Sequence, residues 1–186
     1  LNVRIEEHGD PLLQNAYYNG WLHCCVCSNL FAFAPDGTIF FALLNCPGSW
    51  HDALLAQPLV EKLLEKTPEG FAIVGDTAFT SSSPVVSARL LVPEKSGQLD
   101  NCMTVKEYAR RLTRHRAVVS IRQAAEWGMH EIQSSFRRLN LPLGVDEQDR
   151  RLTLETIARL HNRRTRTVGM NQIRTVYLDT HEDNFV

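Results

Sequence analysis

Two carboxylates lie where a site for a divalent cation would need them. Asp76 ends the apolar run 71–77, and Glu126 lies within the helical stretch 120–129. Mg²⁺ and Mn²⁺ favour carboxylate oxygens over sulfur or imidazole, and phosphodiester chemistry uses such ions where acids from separate elements converge. An aspartate at a strand end can project into the crevice where α/β sheets bind ligands. Asp76 and Glu126 are therefore candidate catalytic residues and metal ligands.

The same two acids also have ordinary structural interpretations. An aspartate at a strand end commonly caps the next turn, and a glutamate in a helix is commonly solvated. On spacing alone, both interpretations stay open for Asp76 and for Glu126. The third carboxylate that such metal sites normally use is not obvious in the sequence.

Charge is distributed unevenly, although the formal net charge is only −1. Residues 1–103 carry five Lys/Arg and eleven acids, whereas residues 104–174 carry fifteen Lys/Arg and seven acids. Such a basic segment suits a polyanionic partner such as DNA, with arginines as phosphate contacts. A solvated basic helix surface accounts for the charge equally well. The candidate nucleic-acid-binding residues are Arg114, Arg116, Arg122, Arg137 and Arg138, and further arginines follow at Arg163, Arg164 and Arg166.

Length and composition indicate one globular domain, or one domain with a short appendage. The 186 residues are 44% hydrophobic and 22% charged, ordinary globular values that argue against a disordered chain and allow a core. No apolar run reaches the roughly 18 residues that span a bilayer. Five cysteines, three of them at positions 24, 25 and 27, argue against a disulfide framework and for a reducing, intracellular compartment. Buried strand residues are the simplest interpretation of these three, with zinc ligation as an alternative.

The elements that must position the two acids follow the pattern of a mixed α/β sheet. Residues 1–5 alternate like the end of a strand, and 10–20 are predicted to form a loop and turn. The apolar runs 22–34 and 39–44 are joined by Pro-Asp-Gly, which predicts a hairpin with Asp36 as a turn residue.

The remaining pattern predicts helices around two short strands. The continuous apolar run 71–74 predicts a central buried strand, and 85–92 predicts another short one. Thr104, followed three residues later by Glu107, fits a capping box. Helices are predicted over 50–66, with Pro58 as a kink or a split, over 104–139 and over 152–163.

Five motifs occur in an order that is fairly specific as a set. They are Tyr17-Tyr18-Asn19-Gly20, the turn Asp36-Gly37, Asn45-Cys46-Pro47-Gly48-Ser49-Trp50-His51-Asp52, Gly75-Asp76-Thr77-Ala78-Phe79 and Arg122-Gln123-Ala124-Ala125-Glu126-Trp127-Gly128-Met129. Through them the chain, from Leu1 to at least Leu139, resembles the endonuclease domain of the DDE superfamily, specifically the Harbinger-type transposase-derived nucleases.

The resemblance implies a ribonuclease H-like fold in which two aspartates and a glutamate bind catalytic Mg²⁺ or Mn²⁺. By position, Asp76 resembles the second aspartate and Glu126 the glutamate. The first aspartate is expected in an Asp-Gly pair directly before Leu1, so the first strand is expected to be truncated here. Asp52, beside His51, resembles a motif residue and is open to three roles: metal ligand, helix cap or an orienting residue of its loop.

The resemblance also implies an activity, a partner and a compartment. The expected function is a metal-dependent DNA endonuclease in the nucleus, with target choice left to a missing segment or a separate DNA-binding protein, and no membrane partner. The alternative is a catalytically inactive domesticated transposase domain that binds DNA or protein through a basic helical face. The nuclease domain is expected over 1–140, and 141–186, a helix and an acidic tail, as an extension of the same domain.

Overall fold

The chain folds into two compact units, each with helices and strands. The computed structural model describes residues 1–79, 83–95, 97, 104–169 and 171–179. The first unit comprises Leu1–His51 and Ala124–Val186, and the second comprises Asp52–Gln123. The α/β class is confirmed. Within the described residues, however, the strands form two sheets rather than one: four antiparallel strands in the first unit and two parallel strands in the second.

The antiparallel sheet is built on β3 (Cys24–Phe33), its longest strand. The strands β1 (Asn2–Arg4), β2 (Tyr18–Asn19) and β4 (Ile39–Pro47) all pair with it. The predicted first strand and the predicted hairpin are therefore confirmed, and β4 runs three residues past the predicted end. Cys25 and Cys27 are buried and free in β3, in agreement with the simpler interpretation of these cysteines, whereas Cys24 is only partly buried.

The hairpin turn is held by the aspartate that the sequence identified. The Asp36 carboxylate accepts hydrogen bonds from Thr38 N (2.9 Å) and Thr38 Oγ1 (2.7 Å). Gly37 has φ +83°, which glycine adopts without steric cost. Burial alone would raise the pKa of Asp36, but the hydrogen bonds from Thr38, together with the charge of Arg166 and a main-chain hydrogen bond, hold that pKa below its usual value. Asp36 is therefore a turn residue.

The prediction of a loop and turn over 10–20 is wrong, because the segment contains a helix. Helix α1 spans Pro11–Tyr17, and the two residues of β2 follow it. The Asp10 carboxylate accepts a hydrogen bond from Leu12 N (2.8 Å), which is N-cap geometry. Pro11 occupies the first turn, where its missing N–H costs nothing. Asp10 and Pro11, which resemble loop residues, are the start signals of a helix.

The core of the first unit lies between the antiparallel sheet and the helices of the C-terminal part. These are the end of α4 (Val105–Ser135), the 3₁₀ turn Arg137–Asn140, α5 (Glu147–Val168), the short α6 (Gln172–Arg174) and a π turn at Thr175–Asp179. The fully buried side chains include Val3 and Cys27 of the sheet, Ile132 of α4 and Leu154 of α5. The two predicted long helices are confirmed, and most of the predicted acidic tail, from residue 180, lies outside the described residues.

The caps explain where the long helices begin. The Thr104 hydroxyl accepts a hydrogen bond from Glu107 N (3.2 Å), which is one half of the predicted capping box. Asp146 accepts from Asp149 N (2.8 Å), so α5 begins five residues before its predicted start. Gly169, at φ +70°, ends α5 as a left-handed C-cap.

The two remaining strand predictions, both in the second unit, are only partly right. Helix α2 (Asp52–Lys66) confirms the prediction for 50–66 and continues through Pro58. The predicted central strand at 71–74 is only the half-buried pair β5 (Ile73–Val74), parallel to β6 (Leu90–Leu91). Most of 85–92 is helix α3 (Pro84–Arg89).

The arginine that ends α3 explains why the strand is short. The Arg89 guanidinium donates hydrogen bonds to the carbonyl oxygens of Thr67 (3.1 Å), Pro68 (2.8 Å) and Phe71 (3.1 Å). These carbonyls are satisfied by a side chain rather than by a neighbouring strand. Phe71 remains 63% exposed, so the apolar run is not a buried central strand.

Candidate functional site

Asp76 lies at the exit of β5, as its sequence position predicted, and one of its oxygens caps the turn that follows. Asp76 Oδ1 accepts from Thr77 N (2.6 Å) and Thr77 Oγ1 (3.3 Å), and the Asp76 carbonyl accepts from Phe79 N (3.0 Å). The side chain is 55% exposed. The capping role is therefore real, and it orients a carboxylate that remains accessible to solvent.

The second oxygen of Asp76 faces a residue that was predicted to bind phosphate. Arg122 Nη1 lies 3.7 Å from Asp76 Oδ2, with side chains 31% and 55% exposed. A long, exposed ion pair of this kind contributes at most about 1 kcal/mol. A cation that binds this carboxylate therefore replaces only a weak interaction of Asp76. The second unit thus brings a predicted metal ligand and a predicted phosphate-binding residue into contact.

Glu126 and Asp52 are both exposed. Glu126 lies in α4, four residues after Arg122 and therefore one helical turn further along. Asp52 is the first residue of α2, where an acid is favoured by the partial positive charge of a helix start. Among the residues that the structure describes, no group of three or more His, Cys, Asp or Glu is placed to hold a metal ion. The assignment of Asp76, Glu126 and Asp52 as ligands stays a prediction.

The arginines predicted on α4 have different surroundings. Arg114 lines a cavity of about 200 Å³ in the second unit together with Glu94 and His115. Glu94 accepts hydrogen bonds from Arg111, and its main-chain N–H donates to His115 Nδ1 (3.2 Å). The bond from Arg111 lowers the pKa of Glu94, with smaller contributions from His115 and Arg114. Arg114 therefore has an acid of its own unit nearby, whereas Arg116 is exposed and forms no ion pair with any described residue.

The two arginines after α4 belong to a tight turn. Arg137 and Arg138 lie in the 3₁₀ turn and are exposed. Arg138 Nη1 donates to the Pro142 carbonyl (2.8 Å) and so helps to close the loop that leads to α5. Arg138 is partly occupied by this structural bond, and only Arg137 of the two is accessible without breaking a described contact.

Asn45, a motif residue, connects three elements of the first unit. Its main-chain N–H donates to Asn29 Oδ1 (2.9 Å), its Nδ2 donates to the Glu147 carbonyl (3.1 Å), and its Oδ1 accepts from Arg150 Nε (3.0 Å). Its φ is +59°, a left-handed conformation that asparagine tolerates better than most residues. This motif position is explained by the joining of β3, β4 and α5.

Arg150 is a buried residue whose role the sequence did not reveal. It is 3% exposed, and its Nη1 donates to the carbonyls of Gly144 (3.1 Å) and Val145 (2.6 Å). Its guanidinium carbon lies 4.7 Å from the centre of the Tyr17 ring, a cation–π contact. Burial raises the pKa of Tyr17, and the positive charge of Arg150 opposes that rise. The available signal was helical spacing, since Arg150 shares a face with the buried Leu154.

Gly48 joins the first and third motifs through a close backbone approach. A Cβ at this position would lie 2.4 Å from the Val26 carbonyl oxygen and 2.5 Å from that of Tyr17. The Gly48 carbonyl accepts from Asn19 Nδ2 (2.8 Å). Two motifs almost thirty residues apart therefore meet around a glycine that no larger residue can replace without a backbone shift.

Gly128, two residues after Glu126, is also a packing position. A Cβ on Gly128 would lie 2.6 Å from two ring atoms of Phe33. The Phe33 ring packs edge-on against His161, with centroids 6.1 Å apart, so it has little room to move. Gly128 is required for α4 to approach β3 closely in the first unit.

Comparison of the chain with known families tests the resemblance that these motifs suggested. The family model described as DDE superfamily endonuclease matches residues 1–162. The chain belongs to this family. The predicted resemblance is therefore confirmed at the level of the superfamily, and the match continues through most of α5. No curated protein and no solved structure matches this DDE superfamily endonuclease chain.

Family membership establishes the general function of this chain. A transposase-derived nuclease acting on DNA is the kind of protein that the family indicates. Within the described parts of this DDE superfamily chain, no helix is both long and apolar enough to cross a membrane. The cysteines that the structure describes are free, and none belongs to a metal-binding group.

Proposed function

We propose that this chain is a metal-dependent endonuclease that cleaves DNA phosphodiester bonds, with Asp76 and Glu126 as ligands of Mg²⁺ or Mn²⁺ and water as nucleophile. The observation that supports it most is the Asp76 carboxylate of a DDE superfamily chain. This carboxylate is exposed and is oriented by Thr77, and its second oxygen forms a weak ion pair with Arg122. A divalent ion bound there would lower the pKa of water and stabilise charge on the phosphate.

The carboxylate ligands suit such an ion, and Arg122 lies beside one of them. Exposed carboxylate oxygens are the ligands that Mg²⁺ and Mn²⁺ prefer. Arg122 partly neutralises Asp76 while no cation is bound. Its guanidinium lies beside Asp76, and arginine is suited to bind phosphate oxygens.

Nicking of supercoiled plasmid by the protein in the presence of Mg²⁺ tests the proposal. Asp76→Asn and Glu126→Gln each keep the shape of the side chain and remove its charge. Loss of a residue that merely orients a ligand costs 10–100-fold, so loss of a ligand is expected to lower the Mg²⁺-dependent rate by about 100-fold or more. Glu61→Gln, at an exposed acid of α2, is the matched control. Activity that survives either site substitution rejects that residue as a ligand.

Asp52→Asn separates the open roles of Asp52. A metal ligand would lose nicking activity with no change in thermal stability. An acid whose charge only favours the start of α2 would lose about 0.3–1 kcal/mol of stability and keep its activity. A protein that binds DNA without nicking it under any of these conditions would instead be the inactive domesticated domain.

Four finer assignments belong to the same proposal. We propose the ribonuclease H-like form of the α/β class. Its support is the antiparallel set β1, β3 and β4, followed along the chain by the parallel pair β5 and β6. An experimental structure with another strand order would reject this fold. We also propose the Harbinger-type subgroup, on the strength of the five ordered motifs. We propose nuclear localisation on the strength of the family resemblance, and imaging of the tagged protein tests it. A separate DNA-binding partner for target choice is testable by co-purification.

The proposed division is a nuclease domain at 1–140 with 141–186 as an extension of that domain. Its support is the packing of α5 on the antiparallel sheet, where Asn162 bonds to both the N–H and the carbonyl of Ile39 (2.7 and 2.9 Å). A chain that ends at residue 140 is expected to lose cooperative unfolding, because the partners of Asn45 and Ile39 are removed. Independent folding of that fragment would show that the extension is a separate body.

A further inference from the structure

The second half of α5 is strongly and uniformly basic. Residues 156–168 contain four arginines and no acid, whereas the preceding part of the helix contains three acids and two arginines. One cation near a helix C-terminus is ordinary, because it complements the partial negative charge there. Four arginines exceed that need, so the helix dipole does not account for this charge.

Three of the four arginines share one face of α5 and line a shallow, open groove on the surface of this helix. Arg159, Arg163 and Arg166 follow one another at spacings of four and three residues, so they form a single stripe. The groove has a volume of about 400 Å³ and is completed by Asn162 and Thr167. The stripe covers two helical turns, roughly 10 Å at 1.5 Å per residue. Neither Asp76 nor Glu126 lines it.

The positive charge of the stripe is poorly compensated. Arg163 and Arg166 form no ion pair with the described part of the chain. Arg159 reaches Glu155 only at 4.0 Å, and its side chain is 83% exposed. Asp36 is near enough to Arg166 for that arginine to contribute to its lowered pKa, but its carboxylate is engaged by the hairpin turn. At least two guanidinium groups are therefore available to an anionic ligand.

The groove is held rigidly by the other side of the helix. Asn162 is bonded to both main-chain groups of Ile39, and His161 Nε2 lies 3.2 Å from the Gly37 carbonyl oxygen. Leu154 and Ile157 are buried in the core. Because α5 already uses its apolar face in this way, it has none to insert into a bilayer. An anionic membrane surface is therefore a poor match, and a polyanion that binds along the helix surface is a good one.

We propose that the stripe of Arg159, Arg163 and Arg166 is a second DNA-binding surface, which holds the sugar–phosphate backbone of a duplex independently of base sequence. Arginine forks bind phosphate oxygens in pairs. A duplex presents a phosphate about every 3.4 Å of axis on each strand, so a stripe of roughly 10 Å can engage several. The choice of DNA rests on the proposed function, while the surface itself rests on α5.

Salt-dependent binding of a short fluorescein-labelled duplex, in EDTA so that no cleavage occurs, tests this surface. The variant carries Arg159→Gln, Arg163→Gln and Arg166→Gln. The slope of log K against log salt should fall by about 2.7, since each phosphate contact contributes about 0.9. At about 0.1 M salt each lost contact weakens binding roughly eightfold relative to 1 M, and three contacts reach about 500-fold.

A charge-matched control carries Lys62→Gln, Lys66→Gln and Arg151→Gln, the last of these on α5 outside the groove. It should keep the full slope, and a version of the groove with three lysines should keep most of it. An unchanged slope in the groove variant, or an equal loss in the control, overturns the proposal.

Loss of folding must be distinguished from loss of DNA contacts. Circular dichroism of the triple glutamine variant should match that of the parent protein. If that variant unfolds, the single variant Arg163→Gln replaces it, and its slope should fall by about 0.9. A folded Arg163→Gln variant with an unchanged slope would overturn the proposal.

Two binding outcomes identify the ligand of the stripe. Binding to phosphatidylserine vesicles with none to DNA would overturn the proposal. DNA binding through the groove without any nicking in Mg²⁺ would support this surface and count against the proposed nuclease.

Discussion

Replacement of Asn45 distinguishes a structural motif residue from a catalytic one. Asn45→Ala removes the acceptor of the bond from Arg150 Nε and the donor of the bond to the Glu147 carbonyl. It also leaves a Cβ-bearing residue at φ +59° without the side-chain amide that makes this conformation tolerable. The substitution therefore acts on β4, on α5 and on the local backbone at once.

The magnitude follows from these three losses. A hydrogen bond from a charged donor is worth about 1.5–3 kcal/mol, and a neutral one about 0.5–1.5 kcal/mol. The left-handed conformation costs alanine about 1–2 kcal/mol, of which asparagine already bears a part. Asn45→Ala should therefore lower the free energy of unfolding by about 3–5 kcal/mol. Asn45→Gly loses the same bonds but relieves the backbone, so it should be less destabilising by about 0.5–1 kcal/mol.

Urea unfolding followed by far-UV circular dichroism measures both variants against the parent chain. An Asn45→Ala variant within about 1 kcal/mol of the parent would refute the role of Asn45 as the joint between sheet and α5. A glycine variant that is less stable than the alanine variant would refute the backbone argument separately.

Three further predictions concern packing and charge. Gly48→Ala should lower the free energy of unfolding by about 1–3 kcal/mol or more, because its Cβ would meet main-chain carbonyls at 2.4 and 2.5 Å. The control Gly20→Ala, with nothing within 4 Å of its Cβ, should change stability by no more than about 0.5 kcal/mol. Equal melting temperatures for the two variants would contradict this. Gly128→Ala should destabilise, since overpacking by about 1–3 kcal/mol exceeds the helix-propensity gain of about 1 kcal/mol; a raised melting temperature would show that the facing ring moves freely. Glu94, whose pKa is lowered by Arg111, stabilises the fold above its unfolded-state pKa of about 4.3 and stops doing so as the pH falls through the lower folded value. The melting temperature should therefore fall less steeply with pH, from neutral to about pH 3, for Glu94→Gln than for the parent protein. Parallel curves would show that the ion pair with Arg111 does not contribute to the stability of the second unit.

The resemblance motifs combine two kinds of residue that a sequence does not distinguish. Asp76 and Glu126 are exposed, as residues kept for chemistry can be. Asn45, Gly48 and Gly128 are buried where elements meet. A motif records that a residue type is required, and only the contacts show whether a ligand or a neighbouring carbonyl requires it.

Local patterns predicted the elements well wherever the determinants were themselves local. The hairpin depended on a Pro-Asp-Gly turn and the start of α4 on Thr104, and both were confirmed. The strand predicted at 71–74 forms only at Ile73–Val74 and is not fully buried, and the carbonyl of Phe71 bonds to Arg89, a residue about twenty positions away. Whether an apolar run becomes a buried strand depends on what pairs with it, which periodicity does not contain.

By itself the sequence determined the family, the two candidate acids and the uneven charge, because these depend on residue type and order. Tertiary structure alone decided that Asp76 faces Arg122, that Asn45 bonds to a buried Arg150, and that three arginines of α5 line one groove. The first two depend on distances between residues far apart in the chain, and the third on which face of α5 the core covers. Such arrangements are set by the packing of the whole core, and no local pattern encodes them.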